Sequence, residues 1–330
     1  MSQSSLFDQT LRPDPALFFT RNDPNDVRLG QAAHHDPAHY DPAHVVILSC
    51  PQDEGVRRNG GRLGAALAPT EIRRALYRLA VDGLTSLNLF DLGDTRIQPT
   101  LEETHALHEA VVRRLLADGK TVITLGGGND LAYADVAALS HATGGGVLAF
   151  NVDTHYDVRA DQPRNSGTPY RQLLDEGLLA AGSFFEIGQQ PFANSAVYRQ
   201  YLADKGVGCW SLRDLRDAGL ASVIQGVLSG SDASAVFWGL DMDVVRVADA
   251  PGVSAPNPVG MTGDEFCQIA ELAGAEPRTR LVELTEVNPI YDVDGRTARL
   301  AAIAIYHFLA AFTRHCEEDD RGAGAVLRPC

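Results

Sequence analysis

Two short stretches combine carboxylates and an imidazole at spacings that suit metal chemistry. Asp153-Thr154-His155-Tyr156-Asp157 carries a D-x-H-x-D pattern, and Asp241-Met242-Asp243 carries D-x-D. Alternate residues of an extended segment point the same way. Asp153, His155 and Asp157 can therefore converge on one point, and Asp241 and Asp243 can repeat the arrangement from another strand. Acidic side chains gathered in this way repel one another unless hard divalent cations neutralise them, and Mn2+ suits a mixed oxygen and imidazole ligand set. Either motif alone is more often a solvated turn or a structural histidine. The pair together points to a metal centre.

What must position these residues is legible around them. Each polar group follows an apolar run with the character of a strand. Gly126-Gly127-Gly128-Asn129-Asp130 follows Thr121–Leu125, the D-x-H-x-D follows Val147–Val152, and the D-x-D follows Ala235–Leu240. Glu286-Val287-Asn288-Pro289 follows Arg280–Leu284. Further candidate strands are Val45–Leu48, Leu87–Phe90 and Phe184–Ile187. Continuous apolar runs are the signature of parallel strands buried on both faces, and ligands of such sheets bind beyond the carboxyl ends of the strands. Helices are expected between them. One starts at Thr100, with Glu103 completing a capping box, and ends near Gly119; another starts at Thr262 with Glu265 in the same relation. A third starts at Pro69, and the last runs from Arg296 to about residue 312. The expected fold class is α/β, with a central, mostly parallel sheet between two helical layers.

The triple glycine lacks both the spacing of a dinucleotide-binding turn and the lysine of a P-loop, so close approach of backbone to the metal site suits it better. A Rossmann dehydrogenase would leave the carboxylate cluster without a role.

The 330 residues are 45% hydrophobic, enough for a large core. The formal net charge of −15 argues against nucleic acid as a partner. Cys50, Cys209, Cys267, Cys316 and Cys330 are scattered, without a zinc or CxxC spacing, which suits free thiols and a cytoplasmic location. The first residues carry no signal-peptide pattern, and no run of about 18 apolar residues suggests a membrane span. Residues 1–43 are polar and contain His34, His35, His39 and His44 at irregular spacing. They read as a solvated entry segment ahead of a single domain, residues 44–330.

In order along the chain, the glycine motif, NVDTHYD, LDMD and EVNP resemble the arginase, agmatinase and formimidoylglutamase superfamily. The resemblance spans about Val45 to Leu309. DEGVRRN at 53–59, GRLGA at 61–65, NSGTPY at 165–170, GQQP at 188–191 through Asn194, and GRTAR at 295–299 are similar to the formimidoylglutamase branch in particular. Arginases and agmatinases tend to carry a His-Gly pair in the 165–170 region.

The resemblance implies a three-layer α/β/α fold and two Mn2+ ions bridged by Asp153 and Asp241. His155 and Asp243 would complete one ion's shell and Asp157 the other's. The family usually has a histidine where this chain has Asn129, so Asn129 is expected as a weaker metal ligand and one ion as the looser. The implied reaction is hydrolysis of N-formimidoyl-L-glutamate to L-glutamate and formamide, a late step of histidine breakdown. Glu286 is the candidate to grip the amidinium, since a carboxylate accepts two parallel N–H bonds, and Asp157 can relay a proton. Arg159, Arg57, Arg58, Arg62 and Arg164 are candidates to bind the substrate's carboxylates, Arg159 first because it follows Asp157 by two residues, with Asn165, Ser166 and Thr168 adding hydrogen bonds. A homo-oligomer, trimeric or hexameric, is expected by analogy. Two alternatives stay open: a guanidine substrate, as for an agmatinase, guanidinobutyrase or arginase, and a catalytically impaired binding or structural relative, which Asn129 alone suggests.

Overall fold

Nine strands form one sheet in this computed structural model, which describes residues 3–84 and 86–322. They are β1 (Thr10–Leu11), β2 (Val45–Ser49), β3 (Leu89–Thr95), β4 (Thr121–Leu125), β5 (Val147–Val152), β6 (Phe184–Gln189), β7 (Gly208–Ser211), β8 (Ala235–Asp241) and β9 (Thr279–Thr285). The order is β1-β3-β2-β4-β9-β8-β5-β6-β7. Every pairing is parallel except β1 with β3.

Alternate strand residues feed two separate cores. Val45, Ile47, Ile123, Phe150, Trp238, Val282 and Leu284 pack with helices Ala68–Leu76, Leu220–Ser229, Gly263–Ala275 and Arg296–Gly322. Val46, Leu48, Val122, Ala149, Phe237 and Leu281 pack with helices Leu101–Ala117, Ala132–Thr143 and Pro169–Asp175. This is the expected three-layer architecture: a strand covered on both faces has to be apolar on both. The capping boxes at Thr100 and Thr262 form as expected, each hydroxyl accepting from the backbone N–H three residues on. Among the described residues no helix is long and apolar enough to cross a membrane.

Four features differ from the sequence reading. The expected strand at Leu87–Phe90 begins at Leu89 and continues through Asp91 and Asp94. Its polar half is tolerated because Arg73, itself buried, grips Asp91 through two N–H bonds of 2.8 and 2.9 Å and Asp94 through a third of 2.7 Å. The edge strands β1 and β7 gave no signal, one being two residues long and the other half-exposed. The last helix runs beyond residue 312 to Gly322. The polar segment ahead of residue 44 is packed: β1 closes one sheet edge, and Leu6, Leu17, Leu29 and Tyr40 are buried.

Candidate active site

The sheet order sets β4, β9, β8 and β5 side by side, and their carboxyl ends deliver Asn129, Glu286, Asp241 with Asp243, and Asp153 to Asp157. These residues meet. Asp153, His155 and Asp243 offer ligand atoms within 4.8 Å of one another, and so do Asp153, Asp157 and Asp241. Asp153 is common to both groups, as a residue shared by two ions must be; Asp241 falls in one.

Convergence is reached by bending, not by the extended geometry expected from alternation. The Asp153 carboxylate accepts from the His155 N–H at 2.7 Å, and Asp157 adopts a left-handed backbone with φ 47°. Glu286 is left-handed as well, with φ 64°. Non-glycine residues hold this conformation only where the surroundings enforce it. Asn194 supplies part of that enforcement: its side-chain oxygen accepts from Tyr156 N at 3.0 Å, and its amide donates to Thr154 O at 2.8 Å. Thr154 in turn donates to Asp243 O at 3.1 Å, joining the two acidic loops. The glycine run makes the close approach expected of it, and its neighbour is the chain after β2: a Cβ on Gly127 would lie 1.6 Å from the Gln52 carbonyl oxygen.

The electrostatics are those of a site built for cations. Asp153 is fully buried, and burial, then Asp243, pushes its carboxyl up to about 6. Burial and then Asp153 push Asp157 up to about 8, and burial pushes Glu286 up to about 8. Asp241 is raised well above the usual range by burial and by Asp243. His155, 3.2 Å from Asp243 and 3.3 Å from Asp153, is held as imidazolium, chiefly by Asp243. One buried oxygen each of Asp243 and Glu286 has no partner among the described residues. A carboxylate cluster this dry and this repulsive, with orphaned oxygens, fits divalent ions.

Asn129 sits among them, buried. Its amide donates to Asp157 at 2.6 Å, while its carbonyl accepts from Thr285 at 3.2 Å. The carbonyl expected to ligate a metal thus faces Thr285, because two carboxylates attract the NH2 end. Its backbone N–H donates to Glu286 at 2.8 Å.

A cavity of about 590 Å3 opens onto the cluster. His155, Asp157, Asp241, Asp243 and Glu286 line it, with Arg159 and Ser166. Arg159 is exposed, and its guanidinium, which attracts the charge of Asp157, has no hydrogen bond or ion pair among the described residues. Arg57, Asn165 and Thr168, also expected to bind substrate, lie outside the cavity lining. Arg57 is exposed and bound to Glu54 through two 2.6 Å bonds, since the two share a helix at i,i+3. Asn165 and Thr168 are spent on their own loop: Asn165 accepts from Gly167 N, and Thr168 accepts from Asn165 N. The cavity also carries residues that gave no individual signal, among them Ser254 and Tyr198. Arg62 belongs to the wall too, fixed by stacking on Tyr291 at 4.1 Å.

The model of the arginase family matches residues 43–311, most of the chain. The chain belongs to the arginase family. Within it, the chain is 35% identical to a formimidoylglutamase of Geobacillus kaustophilus over 271 residues, covering 79% of this chain and 82% of that one. It is 30% identical to the formimidoylglutamase of Bacillus subtilis, over 74% and 81% of the two chains. Among solved structures of arginase-family members, the formiminoglutamase of Trypanosoma cruzi with a pair of Mn2+ ions superposes with a TM-score of 0.82 at 34% identity, covering 87% of this chain and 99% of that one. The Bacillus subtilis formimidoylglutamase superposes with a TM-score of 0.82 at 26% identity, covering 89% and 94%.

Proposed function

We propose that this arginase-family hydrolase is a manganese-dependent formimidoylglutamase, which hydrolyses N-formimidoyl-L-glutamate to L-glutamate and formamide in histidine degradation. The observation that carries this reading is one cavity lined by the Asp/His cluster, by the half-satisfied carboxylate of Glu286 and by the unpartnered cation of Arg159. The identity to formimidoylglutamases supports it.

Asp153, His155, Asp157, Asp241 and Asp243 would hold two Mn2+ ions, with Asn129 beside them. When bound, such ions supply activated water near neutral pH and neutralise the carboxylates. The remaining work falls to the chain. Glu286, on the cavity wall, has one oxygen fixed by the Asn129 N–H and the other buried beside Ser254 without a hydrogen bond, an acceptor for an N–H of the amidinium. Asp157, held by the Asn129 amide, is placed to pass a proton to the departing nitrogen. Arg159 at the mouth pairs with a substrate carboxylate, and Ser166 on the wall adds a hydrogen bond. Water adds to the amidine carbon, the carbon–nitrogen bond to glutamate breaks, and the proton count closes on glutamate and formamide.

Residues 44–330 act as the single catalytic unit in this reading, with residues 1–43 completing the sheet edge. A cytoplasmic location accords with the four free cysteines among the described residues. A homo-oligomer, trimer or hexamer, accords with the exposed Leu63, Leu67, Ile290 and Tyr291 on adjoining segments. Purified protein loaded with manganese and offered a panel of amidines and guanidines tests the function. Formamide from formimidoylglutamate supports it; urea from agmatine, arginine or guanidinobutyrate, with no formamide, replaces it.

A further inference from the structure

His105 lies on helix Leu101–Ala117, 1% exposed, and outside the cavity wall. Its Nε2 is 2.9 Å from Asp130 Oδ2, and its Nδ1 is 3.4 Å from Arg164 Nη1. A carboxylate accepts and a guanidinium donates, so both contacts are met when Nε2 offers its hydrogen to Asp130 and Nδ1 its lone pair to Arg164. The imidazole is thus a directional link between these two segments, beside the stacking of Arg164 on Tyr133.

Each segment ends in the site. Asp130, also held by Gln52 at 2.8 Å, follows Asn129, whose backbone N–H fixes Glu286 and whose amide fixes Asp157. Arg164, stacked on Tyr133 at 4.0 Å, precedes the loop that puts Ser166 in the cavity wall. That loop is braced again by Arg58, which donates to Arg164 O at 3.0 Å, and by Asn59, which donates to the Ser166 hydroxyl at 3.0 Å. We propose that His105 is a positioning residue that couples the substrate-facing loop 164–168 to the glycine loop 126–130 beside the metal cluster.

The kinetic half of this proposal rests on the formimidoylglutamase reading; the structural half does not. In full-length protein, His105→Asn leaves an amide at the place of Nδ1 that falls short of Asp130. His105→Gln sets an amide nitrogen at the place of Nε2 and forfeits the acceptor for Arg164. Groups that orient metal ligands from behind are worth roughly 10–100-fold in metal affinity or activity. His105→Asn should weaken manganese binding, read from the spin-resonance signal of free Mn2+, by roughly tenfold. It should lower kcat by a similar factor and speed amide exchange across 126–130 in the metal-free protein.

His105→Gln should restore manganese affinity, kcat and exchange at 126–130 to near wild type. It should still raise KM for formimidoylglutamate and speed exchange across 164–168. A purely structural role would instead make both variants lose affinity in step with their melting temperatures. The proposal is overturned if Asn leaves manganese affinity and exchange unchanged, or if Gln is no better than Asn. If His105→Asn does not fold, the Gln protein decides alone, by whether exchange rises at 164–168 and not at 126–130. A wild-type enzyme that releases no formamide would remove the functional reading, and the manganese and exchange measurements would still judge His105.

Discussion

Stripping the divalent ions should make the stability of this protein fall as pH rises. In the metal-free fold, Asp153 is raised to about 6, and Asp157 and Glu286 to about 8, with burial the first cause for each. In the unfolded chain these carboxyls titrate near 4. Between about pH 4 and pH 8 the folded state therefore binds more protons than the unfolded state, and the slope of stability against pH is negative. His155 acts in the same direction. Its imidazolium, held by Asp243, stabilises the fold fully below its ordinary value near 6.5, and that contribution fades as pH rises. Moving Asp153 alone from near 4 to about 6 corresponds to about 3 kcal/mol. That is on the order of 4 °C in melting temperature for a domain of this scale. Manganese replaces the protons, so its binding strengthens with pH, and at 100 times Kd it restores about 2.7 kcal/mol. The assay is calorimetric or fluorescence melting at pH 5, 6.5 and 8, with EDTA and with excess manganese. Glu186, which feels Asp153 and Asp157, and Glu283, which feels Glu286, are further buried acids that add to the slope of the metal-free protein, so the gap between the two curves is the quantity to read. The gap should widen from pH 5 to pH 8. A constant gap, or a metal-free protein most stable at pH 8, would refute the reasoning.

Other perturbations follow from the same contacts. Glu286→Gln removes a carboxyl that must take up a proton to sit in the metal-free cluster, so the metal-free protein should melt higher near neutral pH, while kcat falls on the order of 10²-fold or more with loss of the amidinium partner; melting and steady-state kinetics report both. Arg159→Ala should raise KM for formimidoylglutamate about 10–100-fold, the worth of a charge-assisted hydrogen bond, and leave KM for a small uncharged amidine little changed; equal effects on both would take Arg159 out of the pocket. Arg73→Met leaves Asp91 buried without its cation and should cost about 3–5 kcal/mol in denaturant unfolding.

The layers, the seven interior strands and the cluster itself were legible because each depends on a local signal. An apolar run marks a strand buried on both faces, and a polar group at its end marks a loop tip. Asp153, His155, Asp157, Asp241 and Asp243 were readable for that reason. What local pattern does not encode is where a side chain finds its partner. Arg57 sits in the same motif as Arg58 and Asn59, yet its helix hands it to Glu54. Asn165 and Thr168 have the chemistry to touch a substrate, but their loop consumes it. The left-handed backbones at Asp157 and Glu286 have no sequence signature, since neither is glycine. Ser254 and Tyr198 reach the cavity through the tertiary fold alone. The polar half of β3 was hidden for the same reason, because Arg73, which makes it tolerable, lies on another element.

Anomalous diffraction at the manganese edge, on crystals grown with Mn2+, tests most directly whether four neighbouring strand ends build a two-cation site. Two peaks should appear, both in contact with Asp153, one beside His155 and Asp243 and the other beside Asp157 and Asp241. Density for no ion within reach of these carboxylates, or for ions bound elsewhere, would contradict the account.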